Sequence, residues 1–146
     1  MDTAIIILAA GNSSRLGRPK QLLLFNGKTL LANVIEQALA VKSGPIVVVL
    51  GAYAKQIEEL HHRTKVTFTI NENWKTGLSS SIATGLNIAL AESPELDSAI
   101  FTVSDQAYLS KEIFAALIGK YRTDHKNIVT SSYSQTSGTP VLFNKK

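Results

Sequence analysis

Three stretches of the chain are apolar without a break: "AIIILAA" at 4–10, "IVVVLG" at 46–51 and "AIFTV" at 99–103. A strand with one wet face alternates apolar and polar side chains, so unbroken runs of this length predict strands covered on both faces. "VTFTIN" (66–71), "NIVTSSY" (127–133) and "PVLF" (140–143) read as further strands. Between them the period changes. "LLANVIEQALA" places Leu30, Val34 and Ala38 on one stripe, "AKQIEEL" makes a short amphipathic turn, and "SIATGLNIALA" repeats Ile82, Leu86 and Leu90 at intervals of four. In "SKEIFAALIGKYR", Ser110 is suited to cap a helix whose stripe is Ile113, Leu117 and Tyr121.

Strands alternating with helices predict a layered α/β sandwich with a mostly parallel sheet. Ligands of such sheets bind beyond the carboxyl ends of the strands. That rule singles out three polar segments, 11–20, 71–81 and 104–108, each following a predicted strand.

Composition narrows the classes. With 146 residues, 45% of them hydrophobic, the chain is long enough for one sizeable core and is expected to form a single domain over 1–146. A spanning helix needs about 18 or more consecutive apolar residues, which are absent, and the start lacks the basic region of a signal peptide. A cytoplasmic protein with no membrane association is therefore expected. The sequence contains no cysteine, which excludes disulfides, thiolate metal sites and cysteine nucleophiles. The formal charge of +4 suits an anionic partner, but the cations are scattered, so no nucleic acid is expected. A small phosphorylated ligand needs only two or three of them.

In the first segment Gly11 lets backbone approach a ligand, and the amides of Gly11, Asn12, Ser13 and Ser14 are placed to converge on phosphate oxygens. Arg15 adds a planar fork and Lys20 a point charge, which together match a triphosphate. The alternative is a glycine turn with solvated cations. The spacing is neither that of a Walker A loop nor that of the dinucleotide fingerprint. In the second segment Gly77 with Ser79, Ser80 and Ser81 offers amides and hydroxyls at a helix N-terminus, suited to a phosphate, ribose or base edge, unless one serine is simply the cap. Trp74 is expected to pack. In the third, Asp105 follows a buried strand, where a carboxylate either holds Mg2+ against phosphate oxygens or caps the next turn. His61, His62 and His125 sit in polar surroundings and are expected to be solvated. No Gly-x-Ser-x-Gly elbow supports a serine hydrolase.

"LAAGNSSRLGRPKQLL" resembles the LAAGxSxRMGxxK signature of the MobA-like nucleotidyltransferases, with Leu16 in place of methionine. "GKTLL", "VVVLGAYAKQI", "NENWKTGLSSSIATGL", "VSDQAYLS" and "SGTPVLF" follow in the order of the molybdenum cofactor cytidylyltransferase branch. The resemblance spans nearly the whole chain and implies a Rossmann-like three-layer α/β/α sandwich. It also implies a nucleotide site formed by Leu8, Ala9, Ala10, Gly11, Asn12, Ser13, Ser14, Arg15, Lys20, Gly77, Ser79, Ser80 and Ser81. Arg15 and Lys20 would neutralise phosphates, and Asp105 would bind Mg2+. Ala10, where guanylyltransferase relatives carry a second glycine, implies CTP over another NTP. The implied reaction is attack by the terminal phosphate of a molybdopterin-type acceptor on the α-phosphorus of CTP, and a molybdoenzyme would be the downstream partner.

Two departures from the pattern stand out. The usual Asp-Gln-Pro is Asp105-Gln106-Ala107 here, which loosens the turn and keeps the carboxylate. Family members also continue to a second metal-binding aspartate in a Gly-Asp motif, whereas this sequence stops at "VLFNKK", so the C-terminal part of the family domain is expected to be absent. The alternatives are transfer to a sugar phosphate or to methylerythritol phosphate, the latter echoed by "RPKQ", and a non-catalytic nucleotide-binding module that delivers cofactor.

Overall fold

The computed structural model describes residues 2–10, 24–25, 27–61, 65–104, 109–124, 128–133 and 136–144. The longest apolar run forms β1 (Asp2–Ala9), which lies inside a six-stranded sheet. Strands β4 (Ile46–Leu50) and β6 (Leu96–Val103) flank it in parallel, and β5 (Thr67–Ile70) extends the parallel set beyond β4. Beyond β6 the direction reverses: β8 (Thr136–Asn144) runs antiparallel to β6, and β7 (Ile128–Tyr133) antiparallel to β8. The order is β5-β4-β1-β6-β8-β7. A separate hairpin pairs β2 (Leu24–Phe25) with β3 (Lys28–Thr29).

Each face of β1 has its own cover. Ile5, Ile7 and Ala9 join Leu31, Val34 and Ile35 of α1 (Leu30–Val41), Ile57 of α2 (Ala54–His61), and Phe114, Leu117 and Ile118 of α4 (Lys111–Asp124). Ala4, Ile6 and Leu8 join Ala89 of α3 (Leu78–Glu92), with Leu86 and Leu90 packed alongside. This is the α/β/α layering, and it explains why the strand sequence never alternates. Ile5, Ile6 and Ile7 are fully buried, each contributing about 1.5–3 kcal/mol of transfer free energy. Among the described residues no helix is long and apolar enough to cross a membrane.

The elements differ from the sequence reading where tertiary pairing decides. β6 starts at Leu96, ahead of the apolar run, because the buried hydroxyl of Ser98 finds Thr3 of β1 at 2.7 Å. β8 extends well before "PVLF". Pro140, which has no amide to donate, falls at a register shift, where Thr130 faces Val141 and Ser131 faces Gly138. At α4 the Ser110 carbonyl accepts the amides of Ile113 and Phe114, while the Lys111 amide bonds the Gln37 side chain of α1 at 2.9 Å.

Candidate functional site

Because β5, β4, β1 and β6 are parallel, their carboxyl ends share one edge of the sheet. The chain leaves them at Asn71, Gly51, Ala10 and Ser104. β1 and β6 are immediate neighbours, with Leu8 opposite Val103, so the first and third sequence-predicted segments both start from adjacent strand ends.

Gly51 is where the exits close together. A Cβ there would lie 2.8 Å from the Ala10 carbonyl oxygen, 2.9 Å from the Ala10 Cβ and 2.8 Å from the Trp74 Cβ. Only glycine permits that approach. The Ala10 carbonyl also accepts the Ala52 amide at 3.2 Å. Trp74 is half-buried in the 3-10 turn Trp74–Thr76, and the Lys75 ammonium lies 5.5 Å from its ring centroid.

The second segment is organised by Asn71, which is buried and to which the sequence reading gave no role beyond ending a strand and opening the segment. Its Nδ2 donates to the hydroxyls of Ser80 at 2.8 Å and Ser81 at 2.9 Å. Its Oδ1 accepts the Asn73 amide at 3.0 Å, and its own amide donates to the Leu50 carbonyl at 2.7 Å. The signal was available: an asparagine ending a strand readily closes an Asx turn onto the amide two residues on. The Ser80 hydroxyl shares its proton between the carbonyls of Gly77 (2.8 Å) and Asn73 (3.1 Å).

Helix α3 consequently starts at Leu78, earlier than the apolar spacing suggested, with Gly77 as its N-cap at φ 118°, ψ 177°, a conformation open essentially to glycine. Gly77 brings no side chain to cap it, and its first turn carries no acidic residue. The positive end of the helix dipole therefore meets no compensating carboxylate from its own first turn.

Of the predicted site residues, Leu8, Ala9 and Ala10 are buried at the end of β1 and its exit. Gly77 and Ser79 are exposed at the start of α3, Ser80 is half-buried, and Ser81 is buried beneath the first turn. Gly11, Asn12, Ser13, Ser14, Arg15, Lys20 and Asp105 lie outside the described residues. Among the described residues there is no group of three or more histidine, aspartate or glutamate side chains placed to hold a metal.

The histidine reading is corrected for His61, which is buried rather than solvated. Its Nδ1 is 2.6 Å from the Ile57 carbonyl and its Nε2 is 2.8 Å from the Thr29 hydroxyl, a partner 32 residues away that local polarity does not reveal. His62 and His125 lie outside the described residues. At the opposite edge of the sheet, burial and then the Asp97 carboxylate raise the Tyr121 hydroxyl above its ordinary pKa. That pair stands apart from the strand exits.

The model of the MobA-like NTP transferase domain matches residues 5–146. Nicotine blue oxidoreductase of Paenarthrobacter nicotinovorans is 30% identical over 138 residues, covering 94% of this chain and 65% of that protein. Bifunctional protein GlmU of Francisella philomiragia is 27% identical over 148 residues, covering 100% of this chain and 31% of its own length. The chain thus spans less than two thirds of each of these relatives. Among solved structures, Rv0371c from Mycobacterium tuberculosis superposes with a TM-score of 0.84 at 24% identity, over 99% of this chain and 72% of that one. The same protein has been crystallised with manganese, where the TM-score is 0.79 at 20% identity with the same coverage of both chains. Together with the parallel-strand edge described above, the family match over nearly the whole length establishes that this chain belongs to the MobA-like NTP transferase domain family.

Proposed function

We propose that the chain is a nucleotidyltransferase that moves CMP from CTP to the terminal phosphate of a molybdopterin-type acceptor. An acceptor phosphate oxygen forms a bond to the α-phosphorus as the bond from that phosphorus to the bridging oxygen breaks, and pyrophosphate leaves. The observation that carries this reading is the meeting of the β1 exit, the β6 exit and the start of α3 at one edge. Backbone amides and a helix dipole there favour a polyanion.

In this reading the Gly11–Ser14 amides, Arg15 and Lys20 bind the triphosphate, and Ala10 closes the base side in favour of cytosine. Gly77 and Ser79 face the ribose, while the buried Ser81 holds the helix start in place. Asp105 would hold Mg2+, which supplies further neutralisation of the phosphates when bound; a manganese complex of a protein of the same fold supports a divalent ion. Transfer of this kind needs alignment and charge neutralisation more than covalent help from the protein.

Titration calorimetry with Mg·CTP and Mg·GTP tests the assignment. CTP is expected to bind more tightly, and equal affinity would remove the cytidine specificity. A second reading is favoured by the match to nicotine blue oxidoreductase: the same edge would serve an oxidoreductase in place of a transferase. No binding of any nucleoside triphosphate, and no pyrophosphate release from one, would favour it over the transferase reading.

A further inference from the structure

The segment 11–23 carries every cation assigned to the triphosphate, and the described residues on either side of it, Ala10 and the β2–β3 hairpin, are tied to one short helix and the turn leading into it. At the departing end, the Ala10 carbonyl accepts the amide of Ala52, two residues before α2 begins. At the returning end, Leu24 pairs with Thr29 in the β2–β3 hairpin, and the Thr29 hydroxyl meets Nε2 of His61, the last residue of α2, at 2.8 Å. The eight residues of α2 rise about 12 Å, a span set by helix geometry.

A carbonyl only accepts, so Nδ1 carries a proton toward Ile57, and in the neutral ring Nε2 is then the acceptor for the Thr29 hydroxyl proton. Thr29 Oγ1 in turn accepts the Ala32 amide at 2.9 Å as the N-cap of α1. A histidine that served only to finish α2 needs the Nδ1 bond alone. The Nε2 bond, part-buried and 32 residues distant in sequence, fixes the hairpin instead.

We propose that α2 is a brace holding both ends of the 11–23 segment, and that His61 is a positioning residue for nucleotide binding through Thr29. The nucleotide part rests on the reading of 11–23 as the triphosphate loop. Two substitutions divide the imidazole: His61→Gln keeps an acceptor where Nε2 stands and loses Nδ1, while His61→Asn keeps a donor where Nδ1 stands and loses Nε2.

Hydrogen exchange of the amides at 24–32 is expected to quicken in His61→Asn and to stay near wild type in His61→Gln. Mg·CTP affinity is expected to fall about tenfold in the first and less than about twofold in the second, the loss of roughly one hydrogen bond. Should His61→Asn fail to fold, Thr29→Gly removes the same bond from the other side together with the Ala32 cap, a loss that a glycine N-cap tolerates, and exchange is then read at 24–28. Equal exchange at 24–32 in the asparagine and glutamine variants, or wild-type exchange at 24–28 in Thr29→Gly, overturns the brace. A wild-type protein that binds no triphosphate while exchange still separates the variants keeps the brace and removes the nucleotide reading.

Discussion

Asn71→Ala is the sharpest test of how the start of α3 is held. The substitution removes three side-chain hydrogen bonds, to the Ser80 hydroxyl, the Ser81 hydroxyl and the Asn73 amide. It leaves the backbone bond from residue 71 to Leu50 in place. At a net value of about 0.5–1.5 kcal/mol for each bond, the expected loss is roughly 3 kcal/mol. The site argues against a smaller figure, because Ser81 is only 3% exposed and water cannot readily replace the lost donor. Asn71→Asp keeps the acceptor for Asn73 and lets Ser81 turn to donate, so it should cost about half as much. Urea unfolding measures both; with an m-value of about 2 kcal/mol/M, the alanine variant should lose about 1.5 M in midpoint at unchanged slope. Mg·CTP affinity should fall alongside, since Gly77 and Ser79 move with the turn. A loss below about 1 kcal/mol in Asn71→Ala would show that the Asn71 cluster does not hold the helix start.

Four further outcomes are expected. A Cβ at Gly85 would stand 2.5 Å from Ile6 Cγ2 and 2.9 Å from Val49 Cγ2, so overpacking should outweigh helix propensity and Gly85→Ala should destabilise by about 1–2 kcal/mol. Gly119→Ala, with open space around it in α4, should instead stabilise by up to about 1 kcal/mol in thermal melts. Lys20→Ala should weaken Mg·CTP about ten- to a hundredfold in calorimetry with little change in melting temperature, while Arg18→Ala stays near wild type. Because the folded state raises the Tyr121 pKa, the stability tied to its neutral form is complete below the ordinary value of 10.0 and is lost as pH rises above it. Melting curves between pH 9 and 11 should therefore fall less steeply in Tyr121→Phe than in wild type.

The layered fold was legible because unbroken apolarity at residues 4–10 and 46–51 has one physical cause, burial on both faces, and the helices announced themselves by spacing. What escaped depended on partners distant in sequence. Two-residue strands have no period to read, so the β2–β3 hairpin left no signal. "HH" at the end of a polar helix suggests solvent, and only the fold brings Thr29 to His61. The antiparallel placement of β8 is likewise a property of the sheet and not of "PVLF". At the site, the exits after β1 and β6 were legible from topology rules alone; the Asx turn at Asn71 was legible too, whereas its bonds to serines nine and ten residues away were not.

The reversal of β8 shapes the edge that the parallel strands create. Asn144 pairs with Ser98 near the amino end of β6, so β8 ends at the edge opposite the site and begins at the site edge, where it follows β7. The motif "SGTPVLF" therefore enters the sheet beside the exit of β6, on the side away from α3. Five of the six strands end toward the site, and the sixth starts there. The exits of β1 and β6 consequently stand between the start of α3 on one flank and the start of β8 on the other. For the proposed transfer, such an edge offers one flank to a nucleotide and the other to an acceptor, as alignment of two reactants requires.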